Sequence, residues 1–158
     1  MSSLAAQSLG FLSVFEEESL GFFGGLLLVD RWVRPLEFHC STPVKPTRAQ
    51  EILYGATLGD YLLGELIGGA LVAKCKTPPG VLFVDRRESL VAGAAAGVPT
   101  AWLDLSEHAR LVLDHLDRNA AAMVRETAEG LDLAEPFDRI RQALGEVHRQ
   151  ADDRAEAA

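Results

Sequence analysis

The sequence has few cysteines, and no motif ties them to a metal or to each other. Cys40 and Cys75 are the two cysteines in 158 residues, and neither belongs to a Cys-x-x-Cys or Cys/His ligand pattern. In a chain of this size, such usage is typical of free thiols in a reducing compartment. A disulfide scaffold and metal binding through sulfur are therefore not expected.

The sequence also lacks a long apolar run, a basic cluster and a glycine-rich phosphate motif. Its longest apolar run, Phe22–Val29, is far shorter than the roughly 20 residues that span a bilayer. The N-terminal segment has no basic region ahead of its apolar residues, unlike a secretory signal. A net charge of −8 without a Lys/Arg cluster argues against nucleic acid as a partner. Together these absences predict a soluble cytoplasmic protein.

The strongest structural pattern that is present is Gly24–Cys40, two apolar segments joined by a short charged turn. Leu26–Val29 is continuously apolar, which predicts a strand covered on both faces. After the turn Asp30–Arg34, apolar and polar residues alternate as far as Cys40, which predicts a strand with one apolar face. Ser8–Phe15 precedes them as a first strand. The three segments predict an antiparallel meander.

Helices and a crossover follow the meander. Thr47 is a candidate cap for a helix that runs to about Lys74, with a break near Gly55–Gly59, and its further glycines favour close packing on the sheet. Val81–Val84, a helix over 87–96 and Pro99–Leu103 have the length of a parallel βαβ unit.

The C-terminal third is predicted to be helical, with helices from Ser106 to Gly130 and from Glu135 onward, and a frayed tail over 150–158. The expected fold is one α/β domain over residues 1–149. It contains a five-stranded mixed sheet, helices on both faces and a helical C-terminus.

This order of elements resembles the ribonuclease H-like superfamily. Members of that family place a carboxylate on the first strand and then a glycine-rich turn, and Glu16–Gly25 (EEESLGFFGG) occupies that place. A second family carboxylate lies early in the first long helix, where Glu51 stands, and a third ends the fourth strand, where VLFVD places Asp85. A fourth comes from the region after the fifth strand, where Asp104, Glu107 and Asp114 are candidates.

The resemblance implies that these acids converge on metal ions. Hard oxygen ligands hold Mg²⁺, and a pair of such ions about 4 Å apart can clamp an in-line phosphoryl displacement. The implied catalytic residues are Glu16 (or Glu18), Glu51, Asp85 and Asp104 (or Glu107). The implied metal ligands are Glu51, Asp85 and Asp104.

Two further groups around the hairpin carry polar or aromatic side chains. Glu37 and His39 share one strand face, so the carboxylate could orient the imidazole as a base, or the pair could simply form a solvated edge. Trp32 lies in the turn between Arg31 and Arg34, a composition typical of a protein-interface anchor. It could equally fold back onto the C-terminal helices.

Two functions from different classes follow. Because strand one has no acid before Glu16 and no specific catalytic motif is present, the main prediction is a non-catalytic module without a cofactor, which binds a protein partner or itself. The alternative is a Mg²⁺- or Mn²⁺-dependent nuclease or phosphoesterase of ribonuclease H-like type. Convergence of Glu51 and Asp85 with a third acid would distinguish the alternative from the main prediction.

Overall fold

Six strands form one mixed sheet in a computed structural model that describes residues 8–157, apart from a few side chains near the C-terminus. The strand order is β3-β2-β1-β4-β5-β6. The strands are β1 Leu9–Glu17, β2 Gly21–Val29, β3 Pro35–Cys40, β4 Val81–Val84, β5 Thr100–Asp104 and β6 Arg110–Val112. The helices are α1 Arg48–Tyr54, α2 Gly69–Ala73, α3 Leu90–Ala95, α4 Arg118–Ala128 and α5 Glu135–Ala157, with a π-helix over Asp60–Gly68 ahead of α2.

The predicted meander and crossover are both confirmed. β1 pairs antiparallel with β2, and β2 pairs antiparallel with β3. β4 runs parallel to both β1 and β5. Leu26–Val29 is buried throughout, as expected for a strand covered on both faces. The carboxyl ends of β1, β4 and β5 consequently lie at the same edge of the sheet.

Two apolar cores lie on opposite faces of this sheet, because successive strand residues point to opposite sides. On one face, Phe11 stacks on Phe83 with ring centroids 5.2 Å apart, and Phe137 of α5 meets Phe11 edge-on at 5.5 Å. On the other face, Leu12 packs with residues of the π-helix, α2 and α3, including Ile67. The prediction of helices on both faces is therefore confirmed.

The sheet has six strands, so the prediction of five is wrong. The sixth, β6, pairs antiparallel with β5 through Trp102 and Val112, in a segment that was predicted to be helical. His108 and Ala109 adopt positive φ angles of 57° and 56°, and these turn the chain back along β5. Helix α4 starts only at Arg118, where the side chain of Asp117 accepts a hydrogen bond from the backbone N–H of Ala120.

The predicted break in the first helical region is confirmed, and its glycines make a second close contact in addition to the predicted one with the sheet. A β-carbon on Gly64 would meet the backbone oxygen of Glu88 and the side chain of Val91, ahead of and within α3. One on Gly68 would lie 3.0 Å from Ala92 of α3 and 3.3 Å from Leu12 of the sheet. The missing side chains thus allow the π-helix to pack tightly against the α3 region as well as the sheet.

Gly64 and Gly69 provide a matched test of this packing. We expect Gly64→Ala to lower the free energy of unfolding by about 1–3 kcal/mol, because the added methyl overpacks a fixed backbone contact. Gly69→Ala should instead raise it by up to about 1 kcal/mol, since the nearest atom would be 3.7 Å away and alanine favours a helix. Urea unfolding of both variants measures the difference. Equal effects of the two substitutions would contradict the packing described.

The edge strand β3 differs from its predicted orientation. Leu36 is 55% exposed and Phe38 is also exposed, whereas Glu37 and His39 are half-buried. Glu37 Oε1 lies 2.8 Å from His39 Nε2 and accepts a hydrogen bond from the backbone N–H of Lys76 at 3.1 Å. These bonds link β3 to the segment after α2, so the polar residues are drawn inward and part of the apolar face is left exposed.

At the C-terminus, α5 continues as helix through Ala157, in the region where a frayed tail was predicted. Among the described residues, no single helix is both long and apolar enough to cross a membrane. Two consecutive helical segments, Arg48–Thr57 and Asp60–Ala73, satisfy that test only jointly, and a bend of 102° separates them.

Candidate functional site

A buried carboxylate lies at the edge where the parallel strands end. Leu12 of β1 is in register with Val84 of β4, so the next residues, Ser13 and Asp85, are neighbours. Their side chains point to the face that also carries Phe11 and Phe83, since alternate residues share a face. The Ser13 hydroxyl donates a hydrogen bond of 2.6 Å to Asp85 Oδ2.

An arginine from α5 contacts the same carboxylate oxygen. Arg141 Nη2 lies 3.1 Å from Asp85 Oδ2, and Arg141 Nη1 lies 3.4 Å from Asp138 Oδ1 on its own helix. The preceding Phe137 and Ile140 are fully buried against the sheet, which fixes α5 over this edge. The Asp85 side chain is 6% exposed and that of Arg141 is 43% exposed, so the ion pair lies at the boundary between the core and the solvent.

The pair forms part of the wall of an open pocket of about 470 Å³. Three cationic and three acidic side chains are among the residues that line it. They are Arg86, Arg87, Arg141, Asp85, Glu88 and Asp104. Ligands of open α/β sheets commonly bind beyond the carboxyl ends of the strands, which is where this pocket lies. Guanidinium groups are well suited to bidentate binding of phosphate and carboxylate oxygens.

Burial dominates the electrostatics of Asp85. Desolvation raises the pKa of its carboxyl above the ordinary value of 3.8, while the Ser13 hydrogen bond and the charges of Arg141 and Arg86 act in the opposite direction. Within residues 8–157, Asp85 Oδ1 is a buried side-chain oxygen that has no hydrogen-bond partner. Leaving such an acceptor unsatisfied is costly in a fold, and groups with perturbed pKa values are concentrated at functional sites.

The raised pKa of Asp85 has a defined consequence for stability. Between the ordinary and the raised pKa, the folded protein binds more protons at Asp85 than the unfolded chain does. Its contribution to the free energy of unfolding is therefore largest below pH 3.8 and is lost as the pH rises through the raised pKa.

Asp85→Asn removes this titration. We expect the stability of the variant, relative to the wild type, to increase as the pH rises from about 3.5 to 7. Urea unfolding of both proteins across that range measures the difference, and effects of all other groups cancel in it. A difference that falls with rising pH would mean that Arg141 and Ser13 outweigh burial.

Of the other predicted acids, Asp104 shares the pocket with Asp85, whereas Glu16 and Glu51 are not among the residues that line it. Glu16 is exposed three residues beyond Ser13 on β1, roughly 10 Å along the strand, and points to the other face. Glu51 is on α1, where it pairs with Arg48 at 3.3 Å. Asp104 lines the same pocket as Asp85. However, the adjacent Leu103 packs on the Asp85 side of the sheet, so Asp104 points to the opposite side.

The donor set does not fit the metal centre that the resemblance implies. In the described part of the chain, no three His, Cys, Asp or Glu side chains are grouped closely enough to hold a metal ion. Asp104 Oδ1 accepts hydrogen bonds from the backbone N–H and hydroxyl of Ser106, which makes it a turn-stabilising residue. Beside Asp85, a hydroxyl and a guanidinium stand where further carboxylates would be needed.

The remaining predicted groups lie elsewhere. The hydrogen bond from His39 lowers the pKa of Glu37, with further help from the backbone N–H of Lys76, so this pair acts as a structural link. Cys40 and Cys75 pack against opposite faces of the sheet, which is incompatible with a disulfide between them. Burial raises the pKa of the Cys75 thiol to about 11, which makes it a poor nucleophile at neutral pH.

The hairpin tip is at the far end of the sheet from Asp85, as predicted. Trp32 is 61% exposed rather than folded onto the helices. The Cζ atoms of Arg31 and Arg34 lie 4.3 and 5.0 Å from the centroid of its ring. An interaction role for these three residues stays a prediction. The larger pocket of about 950 Å³ is also at that end, lined by Arg31, Gly80 and Pro99.

Ser13 and Arg141 are the site residues that sequence reasoning missed. Ser13 had a signal, because it is a polar residue in the middle of the apolar segment GFLSVF. Arg141 had none, because 56 residues separate it from Asp85 and only the packing of α5 brings the two together. Arg86 and Arg87 directly follow Asp85, but two adjacent arginines do not by themselves predict a cluster.

No family model matches the chain, and no curated protein matches it either. Among solved structures, it is similar to human ENDOV, with 16% identity and a TM-score of 0.39, over 73% of this chain and 51% of that one. It is also similar to an Endonuclease V from Ciona intestinalis, crystallised with a 23mer DNA containing an inosine followed by a ribo-adenosine. That match has 11% identity and a TM-score of 0.36, over 61% of this chain and 44% of the other.

Both TM-scores are below 0.5, and this chain spans about half the length of either structure. Both similar structures are endonucleases, whereas the main functional prediction was a non-catalytic module, and that prediction is not carried forward. They give no support to a protein partner, and one of the two structures holds DNA, the ligand class that the charge argued against.

Proposed function

We propose that this protein is a nuclease-like phosphoesterase that binds a phosphodiester of nucleic acid in the pocket beside Asp85. The observation that carries the proposal is the burial of Asp85 at the carboxyl ends of parallel strands, within a pocket lined by Arg86, Arg87 and Arg141. A carboxylate with one oxygen lacking a partner and three nearby guanidinium groups supply, respectively, a proton acceptor and a binding site for phosphate oxygens.

The chemistry can be assigned to named groups. The guanidinium groups bind the non-bridging phosphate oxygens and stabilise the negative charge that develops on them during attack. Asp85 accepts a proton from the attacking water at its carboxylate. A new P–O bond to the water oxygen forms, the bond to the leaving oxygen breaks, and the leaving oxygen takes a proton from solvent. The raised pKa of Asp85 favours this role, because a stronger base accepts the proton more readily.

A net charge of −8 does not prevent such binding. Charges farther away than a Debye length, about 8 Å at physiological ionic strength, are largely screened, so groups at the pocket decide the local interaction. Arg86 and Arg87 are both exposed, and Arg141 is partly exposed, so all three can reach a ligand. Glu88 and Asp104 line the same pocket, and their negative charges repel closely spaced phosphates such as those of a duplex. The pocket therefore favours a single strand or one exposed phosphate.

Cleavage of a defined substrate panel tests the proposal. End-labelled single-stranded RNA, single-stranded DNA, duplex DNA and an inosine-containing DNA strand are incubated with the full chain, and products are resolved on denaturing gels. Bis(p-nitrophenyl) phosphate serves as a generic phosphodiester. We expect cleavage of at least one single-stranded substrate and saturable binding by fluorescence anisotropy. Absence of both binding and cleavage across the panel would refute the proposed function.

A further inference from the structure

We infer that Arg141 is the resident cation of this site and that the pocket binds the phosphodiester without a divalent metal ion. The inference rests on the proposed function and concerns how the same pocket handles charge. It starts from the mismatch between the side chains around Asp85 and the oxygen-rich centre that the ribonuclease H-like resemblance implies.

The contacts of Asp85 leave little access for a metal ion. Oδ2 accepts hydrogen bonds from the Ser13 hydroxyl at 2.6 Å and from Arg141 at 3.1 Å. Oδ1 is closed to solvent. Mg²⁺ needs six oxygen ligands in near-octahedral geometry at about 2.0–2.1 Å. To bind Oδ2 it would have to displace a guanidinium that already neutralises the carboxylate, and repulsion between the two cations would oppose its approach.

Arg141 is positioned by the packing of its helix. This helix is anchored by Phe137, Ile140 and Leu144, all essentially fully buried, and the exposed Asp138 lies 3.4 Å from the second guanidinium nitrogen. An arginine presents five N–H donors in a rigid fork and stays protonated across the accessible pH range. With Asp85 and Asp138 each taking one contact and 43% of the side chain exposed, N–H groups remain for an anion in the pocket. The guanidinium can therefore bind Asp85 and a substrate phosphate together.

Serine on β1 is consistent with the same arrangement. The Ser13 side chain is fully buried and its hydroxyl donates a hydrogen bond to Asp85, so it stabilises one carboxylate instead of adding a second. An aspartate at that position would bring two carboxylates into contact, which requires a metal or a shared proton. The neutral hydroxyl and the fixed arginine balance the single charge of Asp85.

The first test measures metal binding without substrate. Mn²⁺ is titrated into the metal-stripped full chain and followed by electron paramagnetic resonance and calorimetry, in the wild type and in Asp85→Asn. We expect no site with a dissociation constant below about 1 mM that depends on Asp85. A sub-millimolar Mn²⁺ site in the wild type that is lost in Asp85→Asn would overturn the inference.

The second test measures binding of a fluorescein-labelled single-stranded oligonucleotide in EDTA and in 5 mM Mg²⁺. We expect dissociation constants that agree within about twofold. Arg141→Gln should weaken binding by roughly tenfold and reduce the slope of log K against log salt by about one, the signature of one lost phosphate contact. Arg149→Gln is the matched control, since Arg149 is on the same helix and its main contact is an exposed pair with Glu146.

The outcomes distinguish the inference from the proposed function. Binding or cleavage that occurs only with Mg²⁺ or Mn²⁺ would overturn the inference and leave the phosphoesterase proposal in place. An oligonucleotide that binds in neither buffer would refute the proposed function, and the Mn²⁺ titration would still decide whether Asp85 holds a metal. Thermal unfolding of Arg141→Gln and of Arg141→Lys, which keeps the positive charge, separates loss of the contact from loss of the fold.

Discussion

Asp85→Asn is expected to reduce phosphodiester cleavage by about a hundred- to ten-thousand-fold, the range associated with loss of a general base. Asparagine keeps the size of the side chain and its hydrogen bond with Ser13, but it cannot accept a proton from water. Because the wild-type carboxylate is buried at an energetic cost, the variant should remain folded at neutral pH. The loss should therefore appear in the single-turnover rate constant for cleavage. The circular dichroism spectrum of the variant should match that of the wild type.

Asp138→Asn is the appropriate control for this experiment. Asp138 contacts the same arginine as Asp85, at 3.4 Å, but it is exposed on α5 and is not among the residues that line the pocket. Its substitution should change cleavage by less than about threefold, since exposed ion pairs contribute little. If both variants lose activity equally, the loss comes from the position of Arg141, and Asp85 is not the base.

Phe137→Ala is expected to cause the largest loss of stability, about 3–5 kcal/mol. The ring is fully buried and packs edge-on against Phe11, so truncation leaves a cavity between α5 and the centre of the sheet. Such a loss is a large share of the roughly 5–15 kcal/mol by which domains are stable. Urea unfolding at neutral pH measures it, and substrate binding should weaken as well, because α5 carries Arg141.

Val147→Ala on the same helix controls for helix propensity and general sensitivity. Its side chain is 40% exposed, so truncation should cost less than about 1 kcal/mol. Phe137→Leu should fall between the two, since it retains most of the apolar volume. A loss below about 1 kcal/mol in Phe137→Ala would indicate that α5 is not anchored on the sheet as described.

Local patterns were sufficient to predict the central elements of the fold. The continuous apolar run Leu26–Val29, the charged turn after it and the strand-helix-strand spacing from Val81 each specify one structure by period and length. The short strand β6 was missed, because Val112 and Leu116 also fit a helical period and three residues give too little alternation to decide. The positive φ angles of His108 and Ala109 are incompatible with a continuous helix and turn the chain back to pair with β5. Sequence patterns do not reveal such angles.

The site was predictable only in part, because it depends on which sheet face each residue occupies. Asp85 was identified from its place after an apolar strand. Asp104 lines the same pocket, but β5 turns Leu103 toward the core shared with Asp85, so the Asp104 side chain leaves the opposite face of the sheet. Arg141 belongs to a helix whose position is set by burial of apolar side chains, so its role follows from tertiary packing rather than from any local motif.

The parallel pairing of β1 with β4 has a consequence for how the protein folds. Residues 9–12 pair with residues 81–84, so the centre of the sheet forms only after a loop of about 70 residues has closed. Loop closure costs entropy before the contacts reward it, and pairings that are distant in sequence slow folding. The meander can form early from neighbouring segments, whereas the contact between Ser13 and Asp85 must wait for the crossover. We therefore expect the Ser13–Asp85 contact to form late in folding, after the meander and together with the native strand order.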